Sequence, residues 1–186
     1  EIMVVTVPIF YPPIFSQHLG NNAGAEGNLN PLDTRLCNVH IRNGQIYTSH
    51  NIGVDNKGVS VKNGITRDGC RWYQVDVTKS DKPQLIQMAT LYQASVINDA
   101  NQRFFFTPSL MTNGLKSVIL GCSTAGAPYY ADAVVTKHFE TDPLNSIRNP
   151  IFLTKSKTAY NLGSANPRGR RWGDHSHTSV DPEDDL

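Results

Sequence analysis

Helical periodicity is almost absent from these 186 residues. Apolar side chains do not recur at the three- and four-residue spacing of an amphipathic helix, which argues against a helical bundle or a sheet covered by helices. Long hydrophobic runs are missing too. No stretch approaches the ~20 apolar residues of a membrane-spanning helix. Residues 2–15 are apolar, but Pro8, Pro12 and Pro13 bar them from a helix interior. There is no excess of charge of one sign. The net charge is +1, so the basic footprint of a nucleic-acid-binding domain is lacking. The Arg168, Arg170 and Arg171 cluster is short, is broken by Gly169, and reads as a solvated loop. Cysteine is scarce: an odd count of three excludes a fully paired framework within the chain, and no Cys/His spacing suits zinc. Cys37–Cys70 is the one disulfide to entertain, against the simpler reading of buried free thiols.

What remains is a succession of short β-branched and aromatic stretches separated by Asn, Gly, Asp and Pro, the pattern of an all-β chain. Strands are expected at 3–9, 36–42, 45–51, 71–78, 84–92, 103–111, 116–123, 130–139, 150–155 and 172–181. Turns are expected at Asn43-Gly44, Asp68-Gly69, Ser80-Asp81-Lys82-Pro83 and Asn113-Gly114. Asn-Gly between apolar runs predicts a type I′ hairpin, which needs positive φ at both central residues.

Arg35, Arg103 and Arg171 each precede a strand at intervals of 68 residues, and each full interval holds four strand candidates. A repeated four-stranded antiparallel unit is the signature of a β-propeller blade. The expected architecture is therefore a partial β-propeller of about two and a half blades, with a β-sandwich as the alternative. Residues 1–34 supply an outer strand of a preceding blade and a connector. Residues 35–92 and 103–155 form two blades, and 171–186 begin the next. A ring of this kind takes at least ~4 blades, so the chain reads as cut from a larger protein or as one that self-associates through open sheet edges.

The run Arg171-Trp172-Gly173-Asp174-His175-Ser176, leading to Ser179-Val180-Asp181-Pro182-Glu183-Asp184-Asp185, resembles an RWGDYS-type motif followed by an SxDPxDD turn. That combination is similar to segments of large bacterial secreted propellers of the sialidase-like, BNR-repeat superfamily. His175 stands where those motifs more often have tyrosine, and the full Asp-box SxDxGxTW is absent. The resemblance implies a secreted or cell-surface bacterial protein whose propeller binds carbohydrate or protein. It also opens an alternative, a glycoside hydrolase whose remaining catalytic residues lie outside this chain.

A sialidase-like hydrolase needs arginines for the sugar carboxylate, a tyrosine activated by glutamate, and a general acid. Arg35, Arg103 and Arg171 are candidates for binding an anionic group. None of the four glutamates, Glu1, Glu26, Glu140 and Glu183, stands in a strand beside a tyrosine, so no catalytic residue is assigned. Trp72 and Tyr73 are candidates for stacking on sugar rings, and Tyr129 and Tyr130 share that chemistry. Asp174 completes the ligand-binding set. Asp181, Asp184 and Asp185 are weak candidates for Ca²⁺, because they lack the spaced pattern of a specific calcium loop. No cofactor is required by anything else in the sequence.

Overall fold

The computed structural model describes residues 2–79, 81–94 and 99–185, with Asp99 described by its backbone alone. Glu1, Ser80 of the expected turn, and Leu186 lie outside them. The protein is all-β. One antiparallel sheet is the meander β2 (Asn38–Arg42), β3 (Gln45–Val54), β4 (Arg67–Asp76) and β5 (Gln84–Leu91). The second is β6 (Phe104–Thr112), β7 (Val118–Gly126), β8 (Tyr129–His138) and β9 (Ile151–Phe152). The sheets thus fall within 35–92 and 103–155. A short parallel pair, β1 (Leu29–Asn30) with β10 (Arg170–Arg171), stands apart from both.

Turn chemistry explains part of this layout. Asn43 and Gly44 sit at φ 51° and 71°, the two left-handed residues that a type I′ hairpin between β2 and β3 requires. Asn113-Gly114 differs. There the left-handed residue is Lys116 at φ 58°, and the Asn113 side chain accepts bonds from the Leu115 and Ser117 amides. The loop is a longer one, with Gly114 free to donate its amide to Asp185 at 2.5 Å. Asp68-Gly69 is not a turn at all but lies within β4, opposite Ile52 and Gly53. A Cβ at Gly69 would stand 2.8 Å from Thr90 Cγ2 and 2.9 Å from the Leu91 carbonyl, so glycine is there for close packing of β5.

Two expected strands do not form. Residues 3–9 are extended but pair with no strand, and 172–181 likewise hold no ladder. Each lies against side chains on one face of a sheet rather than along a strand edge. Residues 172–181 instead attach by side chains: Trp172 Nε1 donates to Ser123 Oγ, Ser176 Oγ donates to the Thr107 carbonyl, and Thr178 Oγ1 shares a bond with Ser109 Oγ.

The two sheets pack face to face. Tyr47, Cys70, Trp72, Ala89 and Leu91 of the first meet Phe105, Leu110, Val118, Leu120, Cys122 and Val134 of the second. Cys70 and Trp72, Ala89 and Leu91, and Val118, Leu120 and Cys122 alternate along their strands, and the irregularity in β6 between Phe106 and Ser109 brings Phe105 and Leu110 to the same face. Trp72 is fully buried, with its ring 5.1 Å from that of His138. A glutamine ladder crosses the interface beside it. Gln74 Nε2 donates to Gln45 Oε1, Gln87 Nε2 donates to Gln74 Oε1, and Gln87 Nε2 also meets His138 Nε2 at 3.2 Å.

The first strands of the two sheets run parallel, side by side. Asn38 Nδ2 donates to the Leu110 carbonyl and the Thr112 amide to His40 Nδ1, each across 72 residues of sequence. Residues 176–178 continue the series, bonding β6 across 69 residues.

Asp68 is completely buried and ties the amino-terminal segment to β4: the Ile14 amide donates to its Oδ1 and Ser16 Oγ donates to its Oδ2. Burial raises its pKa from 3.8 to about 8, against the lowering effect of those two donors. The folded state therefore holds this proton more tightly than the unfolded chain. The contribution to stability is full below pH 3.8 and is lost as pH rises towards 8. Denaturant unfolding followed across that range should show a stability decline that Asp68→Asn removes, since an amide can accept from Ile14 and donate to Ser16. An unchanged pH slope in Asp68→Asn would refute the assignment. Trp72→Ala should cost about 3–5 kcal/mol in the same measurement, by opening a cavity between the sheets.

Candidate functional site

The three equally spaced arginines separate into two places. Arg35, just before β2, is 85% exposed in its side chain and is gripped by Asp33, whose carboxylate accepts from Nε at 2.8 and 3.0 Å. Hydrogen bonds from Arg35 hold the Asp33 carboxyl below its ordinary range. Arg171, on β10, forms an ion pair with Asp174. These two pairs line one cleft of about 240 Å³, with Asn51 and His175 at its wall. The sequence candidates Arg35, Arg171 and Asp174 are therefore neighbours.

Arg103 is elsewhere. Its guanidinium lies 3.6 Å from the ring centroid of Tyr129 and 4.8 Å from that of Phe152. Burial lowers its pKa, and its Nη1 is buried without a hydrogen-bond partner. Tyr129 opens β8 and Phe152 belongs to the edge strand β9, so two neighbouring strands of the second sheet each bring a ring to this cation. The surrounding cleft, about 710 Å³, adds Tyr130, Asp132 and Lys155. Asp132 is fixed in place: its Oδ1 accepts from Thr154 Oγ1 at 2.9 Å and from the Ser156 amide at 2.7 Å. Aromatic faces beside an oriented carboxylate and a cation supply both kinds of contact a sugar ring uses, stacking on its C–H face and hydrogen bonds to its hydroxyls.

Other expected residues are committed to structure. Trp72 is sealed between the sheets and has no surface for a ligand. Tyr73 is 3% exposed, and its hydroxyl is 2.9 Å from His50 Nε2. Burial removes Trp72 from the stacking set, while Tyr73 faces an apolar cavity on the other side of β4. In the acidic turn, Asp181 accepts from the Glu183 amide, and Asp185 binds Arg42 at 2.5 Å and the Gly114 amide. Bonds from Arg42 and Gly114 keep Asp185 below the usual carboxylate range. Among the described residues no group of three His, Cys, Asp or Glu side chains is arranged to hold a metal ion.

Of the two cysteine readings, free thiols hold and the Cys37–Cys70 pairing does not. All three are free thiols, and Cys70 faces Cys122 across the core rather than Cys37. Burial pushes the Cys37 thiol up to about 11. Among the described residues no helix is long and apolar enough to cross a membrane.

The chain matches no protein-family model, no curated protein and no solved structure. The site thus stands on its own geometry. Sequence reasoning placed Arg103 but missed its Phe152 partner, because Phe152 lies 49 residues downstream in a two-residue strand.

The exposed pairs Arg35–Asp33 and Arg171–Asp174 are solvent-screened. Asp33→Ala and Asp174→Ala should each change unfolding stability by less than about 1 kcal/mol. A larger loss by thermal or chemical melting would make these pairs structural.

Proposed function

We propose that this chain is a non-catalytic β-propeller segment of a larger secreted or cell-surface bacterial protein, related to the sialidase-like superfamily, and that it binds carbohydrate. Support for the propeller comes from the parallel run of β2, β6 and residues 176–178, whose contacts recur at 72 and 69 residues. First strands of successive blades run alongside one another in this way around a propeller axis. The observation that carries the binding role is Arg103 held between Tyr129 and Phe152 beside the oriented Asp132. The Arg35–Arg171 cleft offers a second anionic or hydroxyl-bearing contact on the same molecule.

A glycan array followed by calorimetry on the best ligand tests this reading. Arg103→Ala and Tyr129→Ala should each weaken binding by tenfold or more, corresponding to about 1.4 kcal/mol. EDTA should leave the affinity unchanged, because Asp181 and Asp185 are already engaged by protein donors. An array with no binder, or binding indifferent to both substitutions, would overturn the assignment.

The glycoside-hydrolase alternative has a separate test. The chain should not turn over a fluorogenic sialoside. Glu140 bonds Lys116 at 3.0 Å, and burial raises the nearby Tyr47 hydroxyl above its ordinary pKa. Turnover abolished by Arg35→Ala or Arg103→Ala would replace the binding role with catalysis.

A further inference from the structure

The outer face of the first sheet carries an apolar cavity of about 480 Å³ that the carbohydrate reading does not use. Its floor is the pleat face opposite the core, where Ile46, Thr48, His50, Tyr73 and Val75 alternate with the buried residues of β3 and β4. Its roof is the amino-terminal arm. Met3, Val5 and Val7 point down into it with a two-residue period, and Phe10 closes one end with its ring 4.6 Å from that of His50.

Three observations say what such a space accepts. First, among the described residues no Asp, Glu, Lys or Arg lines it, so a charged guest would be buried without a partner there, at a large cost. Second, the polar groups at its floor satisfy each other. His50 Nδ1 lies 2.9 Å from the Thr34 carbonyl, and its Nε2 lies 2.9 Å from the Tyr73 hydroxyl. Burial holds His50 below its usual pKa, so the ring is neutral. Third, no ladder bond ties the roof to the sheet. Residues 2–10 pair with no strand, while the chain just beyond is pinned: Gly53 donates to the Tyr11 carbonyl, Tyr11 donates to Ser60 Oγ, and Ile14 donates to Asp68. The arm can lift from the sheet without breaking a ladder bond, yet its root stays attached. The volume lies within the roughly 300–1,000 Å³ of small-molecule pockets.

We propose that this cavity is a binding site for a compact, uncharged, mostly hydrocarbon molecule, admitted by lifting of the 3–10 arm. Burial of apolar ligand surface against Met3, Val5, Val7, Ile46 and Val75 supplies the affinity.

The experiment uses the full 186-residue chain and the uncharged fluorophore N-phenyl-1-naphthylamine. Saturable fluorescence enhancement is expected, with displacement by decanol and at least tenfold weaker displacement by decanoate at neutral pH. Val5→Asp should weaken the probe at least tenfold, and Val4→Asp, on the exposed side of the same arm, should bind it as the parent chain does, which separates loss of the cavity lining from any general loosening of the arm. Asp68→Asn, at the root of the arm, should bind the probe as the parent chain does. No saturable enhancement, displacement by decanoate equal to that by decanol, or a Val5→Asp chain that binds normally would each overturn the proposal. Light scattering that shows probe binding only in self-associated chains would also overturn it, by making the face an interface between copies.

Discussion

A sheet with apolar side chains on both faces has to be covered twice, and this requirement shapes the molecule. Residues 67–75 of β4 are all buried, as are residues 47–54 of β3. Such strands cannot present one face to water, as many antiparallel sheets do. One face is covered by the second sheet through Trp72 and its neighbours. The other is covered by the amino-terminal arm, an extended strap rather than another sheet. The second sheet has the same need, and residues 172–178 lie over its outer side, with Thr178 Oγ1 3.1 Å from where a Gly121 Cβ would be.

The straps are held by polar groups in apolar places. Asp68 accepts bonds from Ile14 and Ser16, while Asn51 bridges the Pro31 carbonyl and the Thr107 amide. Each such group is costly to bury and therefore specific: only one placement of the passing chain satisfies it. The glutamine ladder from Gln45 through Gln74 and Gln87 to His138 acts in the same way between the sheets, fixing where apolar faces of similar texture come to rest.

The alternation of β-branched and polar residues made the eight sheet strands legible, and the left-handed preference of Asn-Gly marked the β2–β3 hairpin. Local patterns failed where a distant partner decided the outcome. Asp68-Gly69 has turn composition, yet Ile14 and Ser16 supply the donors that let Asp68 stay in a buried strand. Residues 172–181 have strand composition, yet β6 meets them through side chains. Trp72 and Arg103 show the same limit at the candidate sites. Nothing adjacent to Trp72 signals that both faces of β4 are covered, and the Phe152 ring over Arg103 arrives from a different part of the chain. Arg35 and Arg103 precede β2 and β6 as their equal spacing suggested, but Arg171 ends β10 with no strand after it among the described residues, and Arg103 alone lies away from the cleft the other two line.

The parallel pairing of Leu29 with Arg170 and Asn30 with Arg171 has a kinetic meaning. Both hairpin meanders can form from neighbouring residues, but this two-residue ladder joins segments 141 residues apart in sequence. Its loop-closure entropy can be met only after the intervening sheets have condensed. On a ribosome, Leu29 leaves the exit tunnel long before Arg170 is synthesised. During that interval the β1 segment and the core beneath it, Phe104, Phe106 and Ala131 among them, lack their final cover. Until residues 170–172 are made, the second core lacks part of its cover, so the chain passes through a stage in which both sheets exist but this core is still open.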